Sequence, residues 1–178
     1  MKAYVALLRG VNVGGRKLLM QDLRDVFEAF GAEDVSTYVQ SGNVIFRSNE
    51  AAGRLGGSIE DRLRSELGLD VTVLVRTPAQ LAKLVAGNPF LKRKGTKPTA
   101  LHVTFLSTKP AAGAVKALDP TIEAPDEFQV VGKEVYLHFP NGYGRSKLGN
   151  AWFEKQLGVR ATTRNWRTVT QLAERSKG

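Results

Sequence analysis

The chain has 178 residues, 42% of them hydrophobic and 24% charged, which suits one ordinary domain or two very small ones. No run approaches the roughly 18 apolar residues of a membrane span, and Met1-Lys2-Ala3-Tyr4 leads into a strand-like segment, so a cytoplasmic protein without a membrane partner is expected. With no cysteine and two histidines it excludes disulfides, thiolate nucleophiles and cysteine-type zinc sites, and no metal site is expected, while the excess of 26 Lys and Arg over 17 Asp and Glu (net charge +9) favours polyanions.

In chain order the first half predicts a strand at Ala3–Leu8, a helix at Met20–Phe30, strands at Val35–Val39 and Asn43–Arg47, a helix at Arg54–Leu67 and a strand at Val71–Val75. Leu23, Val26, Phe27 and Phe30 recur at helical spacing, whereas Val71, Val73 and Val75 alternate as in a half-buried strand. Gly31 and Gly68 stand where the two helices must stop. The second half repeats the order: strand Leu101–Leu106, helix Ala111–Leu118, strands Glu127–Val131 and Glu134–Phe139, helix Lys147–Leu157 and strand Arg160–Thr163.

Each half then ends in a further helix, with Arg76-Thr77-Pro78-Ala79-Gln80-Leu81-Ala82 echoed by Arg167-Thr168-Val169-Thr170-Gln171-Leu172-Ala173 at an offset of 91 (167 − 76). Val44 falls on Val135 at the same offset, and Leu67-Gly68 on Leu157-Gly158 at one less. Strand, helix, strand, strand, helix, strand is the split-βαβ plan. The fold expected is therefore α+β: a tandem duplication of two ferredoxin-like units, each a four-stranded antiparallel sheet with helices on one face. The boundaries follow as 1–87, a basic linker at 88–99, and 100–178. The linker carries Lys92, Arg93, Lys94 and Lys97, which suit a solvated flexible segment first and contact with a phosphate or nucleic acid second.

Gly10-x-x-x-x-Gly15-Arg16-Lys17 stops short of a phosphate-cradling P-loop, which needs Lys and then Ser or Thr after the second glycine. The plan puts this loop beside the turn before the third strand. Together they offer Arg9, Asn12, Gly14, Gly15 and Lys17 with Gln40, Ser41 and Asn43 as a candidate anion site, because successive N–H groups of a glycine-rich turn form an anion-binding concavity. The plainer reading of Ser41-Gly42-Asn43 is a hairpin turn. A second cluster joins Asn141, Tyr143, Arg145, Ser146 and Lys147 to Thr163, Arg164 and Asn165, on segments expected to feed helix N-termini, where an anion is favoured. Asn165 and Ser146 also read as N-caps, and Trp166 as a core residue.

His102 and His138 are expected together on the open sheet face, away from Val103, Phe105, Val135 and Leu137, as surface or interface residues. No serine sits in a nucleophile elbow. The four-stranded plan is shared with RNA-recognition modules, but Asn43-Val44-Ile45-Phe46-Arg47 lacks their paired exposed aromatics, which excludes the usual stacking surface.

YVALLRGVNVGG (4–15), YVQSGNV (38–44), NGYGRSKL (141–148) and TTRNW (162–166) together resemble, in order, the bacterial domain-of-unknown-function family 1697. The resemblance implies a pair of ferredoxin-like units. It implies no activity, substrate or cofactor, so no catalytic residue is carried over, and Arg16-Lys17 reads as that family's own loop rather than a damaged P-loop. Two functions stay open: binding of a small phosphorylated or nucleotide-like anion through the glycine-rich basic loops, and nucleic-acid association through a diffuse basic surface.

Overall fold

Two four-stranded antiparallel sheets, each flanked by helices, make up the computed structural model, which describes residues 1–11, 17–39 and 42–178. The first repeat runs β1 (Lys2–Arg9), α1 (Met20–Ala29), β2 (Glu33–Thr37), β3 (Asn43–Ser48), α2 (Ala52–Leu67), β4 (Thr72–Arg76) and α3 (Pro78–Ala86). The second runs β5 (Leu101–Leu106), α4 (Ala112–Lys116), β6 (Glu127–Val131), β7 (Glu134–His138), α5 (Asn150–Leu157), β8 (Ala161–Asn165) and α6 (Trp166–Arg175). Strand orders β2-β3-β1-β4 and β6-β7-β5-β8 are the same, so the ferredoxin-like plan occurs twice. No helix among the described residues is long and apolar enough to cross a membrane.

In the first sheet, Tyr4, Ala6 and Leu8 face the helices and meet Leu23, Val26 and Phe27 of α1 and Leu55, Ile59 and Leu63 of α2 in one core. In the second, Leu106, Val135 and Leu137 meet Phe153 and Leu157 of α5. Both second helices stop on a left-handed glycine, Gly68 at φ 64° and Gly158 at φ 66°. That conformation costs glycine least, and the matching caps mark equivalent points of the repeat.

The third helices are equivalent at a different offset from the one the sequence echo suggests. Thr77 caps α3 by a reciprocal pair, its Oγ1 accepting from Gln80 N (3.2 Å) and its N–H donating to Gln80 Oε1 (2.9 Å). Asn165 caps α6, its Oδ1 accepting from Thr168 N (2.8 Å). The caps are 88 residues apart (165 − 77), and the same step carries buried Arg76 onto buried Arg164 (164 − 76). Each of these arginines donates to the carbonyl of the residue before it, Val75 (3.0 Å) and Thr163 (2.9 Å). The echo at 91 is displaced by three residues, nearly one helical turn, which is why Leu81 and Leu172 both remain buried under it.

Three further expectations shift. α5 begins at Asn150 with Gly149 as its N-cap, not at Lys147, because Tyr143–Arg145 forms a separate 3-10 turn. β2 starts at Glu33, with Asp34 at φ 52° and an irregular register against β3. Residues 89–92 and 98–100 form two 3-10 turns, the first capped by buried Asn88, whose Oδ1 accepts from Phe90 N (3.0 Å).

The chain divides into two compact units, residues 1–82 with 172–178, and residues 83–171. Both divisions fall inside helices, α3 and α6.

Candidate functional site

The end of β1 and Val11 lie against Gly42, just before β3. Leu8 N donates to Gly42 O (2.8 Å). Of the proposed anion contacts here, Arg9 is half-buried opposite Thr72, Lys17 is exposed, and Asn43 is fully buried with its amide donating to Tyr38 O (2.9 Å). Asn43 thus closes the hairpin. Asn12, Gly14, Gly15, Gln40 and Ser41 lie outside the described residues.

The second group is only partly assembled. Thr163 and Arg164 are adjacent in β8 and point to opposite faces. On the helix side, Thr163 donates to Asn150 Oδ1 (2.7 Å), so Thr104, 2.7 Å away, donates its own hydroxyl proton to Thr163. Arg164 pairs across the sheet with Val103 on the other face, bonded to Thr162 Oγ1 (2.7 Å). Burial lowers its guanidinium to about 10, opposed in part by Tyr143. Lys147 is tethered to Glu123, its N–H reaching Oε2 at 3.3 Å and its Nζ standing 3.9 Å from Oε1. Ser146 accepts from Leu148 N (3.2 Å) in a local turn and caps no helix. Asn141 and Arg145 are exposed. Of the three cations in this pattern, Arg164 is therefore buried in β8, Lys147 is held by Glu123 and Arg145 is exposed.

The residues that do converge at this end of the sheet centre on His102. Its cross-strand neighbours are Leu137 and Asn165, and the Tyr143 ring stacks on its imidazole with centroids 4.7 Å apart and planes 16° from parallel. His138 lies opposite Leu101, on the other face, so the two histidines do not share a surface. It pairs instead with Glu127 (3.2 Å), which Arg93 grips with both guanidinium nitrogens (2.6 and 3.0 Å). Arg93, and then His138, hold Glu127 below the usual carboxylate range.

Beside His102 opens a cleft of about 640 Å³, bounded by Pro98, Leu101 and Trp166 on the apolar side and by Thr99, Asn165, Arg167 and Thr170 on the polar side. That volume lies within the range typical of small-molecule sites. With its Oδ1 engaged by Thr168, Asn165 still offers its amide N–H groups there. Arg167 is exposed and pairs with no carboxylate among the described residues. Asn165 alone of these cleft residues was legible as a candidate. The sequence offers Arg167 and Thr170 only as part of the helical echo, and the expected alternation puts His102 on the open face, whereas the β5–β7 register turns it to the helix side. Its signal required the β5–β7 register, which sets every residue's face. Among the described residues, no group of three or more His, Asp or Glu is placed to hold a metal.

His102 Nδ1 is buried with no hydrogen-bond partner among the described residues, and burial lowers the ring below its ordinary 6.5. The unfolded chain therefore binds the proton first. Stability is expected to be level above about pH 6.5 and to fall as pH drops from there to the lowered folded value. His102→Phe, which keeps an aromatic ring under Tyr143, should flatten that part of a urea-unfolding pH profile. An unchanged slope would place the titration elsewhere.

The model for a protein of unknown function, DUF1697, matches residues 1–136. The chain belongs to the DUF1697 family. The cleft residues Asn165, Trp166, Arg167 and Thr170 lie beyond the span that the DUF1697 model matches. No curated protein matches this DUF1697 chain. Among solved structures it is similar to a conserved bacterial protein, SP0830 from Streptococcus pneumoniae, at 20% identity and a TM-score of 0.70, with 98% of each chain covered. At that identity the likeness carries the fold, two ferredoxin-like units in tandem, and nothing about chemistry.

Proposed function

We propose that this DUF1697 protein binds a small nucleotide-like anion in the cleft beside His102. The observation that carries the reading is the juxtaposition, in one cavity of about 640 Å³, of an apolar wall with an exposed arginine that has no acidic partner among the described residues. A nucleobase has flat apolar faces, which suit Pro98, Leu101 and Trp166, and polar edges, which suit the Asn165 amide and the Thr99 and Thr170 hydroxyls. Its phosphate suits Arg167, since hydrogen bonds to charged groups are the stronger ones. The glycine-rich loop between β1 and α1 remains a candidate anion contact in the other unit through Arg9 and Lys17.

The test is an NMR titration of the Trp166 indole N–H with AMP, GMP, CMP and UMP. Saturable shifts are expected for at least one nucleotide, and Arg167→Ala should weaken it about tenfold or more. No shift at millimolar nucleotide would sink the reading. The net charge of +9 supports a second reading, association with nucleic acid through a diffuse surface. Binding of that kind weakens steeply with salt and would be indifferent to Arg167.

A further inference from the structure

The turn at Pro98–Ala100 that borders this cleft has a second cavity on its other side. It is about 390 Å³ in volume and is lined by Arg93, Lys94, Lys97, Ala100 and His138, among others. The two spaces share one wall: Lys97 and Ala100 line the second, while Pro98, Thr99 and Leu101 line the first. Their chemistry differs. The first has apolar walls and a single arginine, whereas the second is crowded with cations.

Those cations are not equivalent. Arg93 is fixed, gripping Glu127 and lying 4.9 Å over the Phe90 ring, which in turn stacks on His138 at 5.7 Å. Its charge is balanced by Glu127. Lys94 and Lys97 are exposed and pair with no carboxylate among the described residues, so they leave an unbalanced positive rim on a framework that Arg93 and Phe90 hold in place.

We propose that the ligand of this protein is a single nucleic-acid strand lying across the Pro98–Ala100 turn, with one base in the His102 cleft and adjoining backbone phosphates against Lys94 and Lys97. This rests on the nucleotide reading of the His102 cleft and extends it. Proteins that hold single strands combine a cationic track for the backbone with platforms for bases, and the two cavities supply one of each on either side of a few consecutive residues. A mononucleotide fills the first cavity and leaves Lys94 and Lys97 unused. A strand uses both.

The test compares UMP, followed by the NMR titration above, with fluorescein-labelled oligouridylate of ten nucleotides followed by fluorescence anisotropy. The oligonucleotide is expected to bind at least tenfold more tightly than UMP. Lys94→Ala/Lys97→Ala should lower its affinity about tenfold and make the slope of log affinity against log salt shallower by about 1.4, two single-strand phosphates at about 0.7 each. The same variant should leave UMP binding and the melting temperature unchanged, both lysines being exposed. UMP binding that depends on Arg167, with no gain for the oligonucleotide, would overturn the strand and leave the nucleotide cleft standing. Absence of binding by UMP and by AMP, GMP and CMP alike would overturn the cleft itself. Oligonucleotide binding lost in the lysine variant but indifferent to Arg167→Ala would overturn the strand as drawn, because no base would then occupy the cleft.

Discussion

Phe153→Ala is expected to destabilise the protein by about 3–5 kcal/mol, the range for emptying an aromatic site in a packed core. Phe153 is fully buried on α5 and holds two other rings edge-on, Phe128 at 5.7 Å and Trp152 at 4.9 Å. Its truncation removes the dispersion contacts of the whole ring, and those neighbours can close only part of the void. Leu63 sits 90 residues earlier (153 − 63), the step that relates the two glycine caps, and is equally buried. Leu63→Ala should therefore fall in the neighbouring range of about 2–5 kcal/mol. Urea unfolding monitored by far-UV circular dichroism reads both. A loss below about 1 kcal/mol for Phe153→Ala would mean that α5 does not pack on the sheet as described.

Gly42→Ala is expected to cost about 3 kcal/mol, although it adds a single methyl group. Two penalties coincide. Gly42 has φ 77°, a conformation that costs an L-residue about 1–2 kcal/mol. The new Cβ would also stand 2.5 Å from Val11 Cγ2 and 2.9 Å from Leu8 Cβ, overpacking worth about 1–3 kcal/mol. Trimming the obstructing side chain tests the cause. In a double-mutant cycle, Val11→Ala should be less harmful in the Gly42→Ala background than alone, with a coupling above about 0.5 kcal/mol. Strict additivity would assign the loss to the backbone angle and the Leu8 contact rather than to Val11. Gly42 thus lets Leu8 and Val11 approach the hairpin closely, a role quite apart from ligand binding.

The fold was legible because its signals are local. Helical spacing at Leu23, Val26 and Phe27, alternation at Val71 to Val75, and the glycines ending both second helices each act within a few residues and agree with one plan. What failed depended on register. His102 alone changes face, because a shift of one residue in the β5–β7 pairing exchanges the faces of a whole strand, and Leu101–Leu106, buried on both faces, does not distinguish the two settings. The echo of the third helices misled because a displacement of three residues preserves the buried face of a helix. The cap residues Thr77 and Asn165, chemically unlike each other, carry the true equivalence.

The three cations of the second cluster differ in ways that their spacing hides, for a related reason. Arg145, Lys147 and Arg164 are close in any list of loop residues, yet Arg164 alternates onto the far face and Lys147 answers to Glu123, an acid from the segment between α4 and β6. Sequence proximity reports charge but not direction. Lys94 and Lys97, by contrast, were visible as basic residues, and the Pro98–Ala100 turn gives them a wall to share with the His102 cleft.

The division of the chain into units also governs when folding can finish. Residues 172–178 belong to the same compact unit as residues 1–82, and within it Arg175 lies 4.6 Å over the Tyr38 ring. On the ribosome those residues emerge only after everything from 83 to 171 has been made. The unit begun first is therefore completed last, and a nascent chain halted before Leu172 carries an N-terminal half still waiting for its final turn of helix.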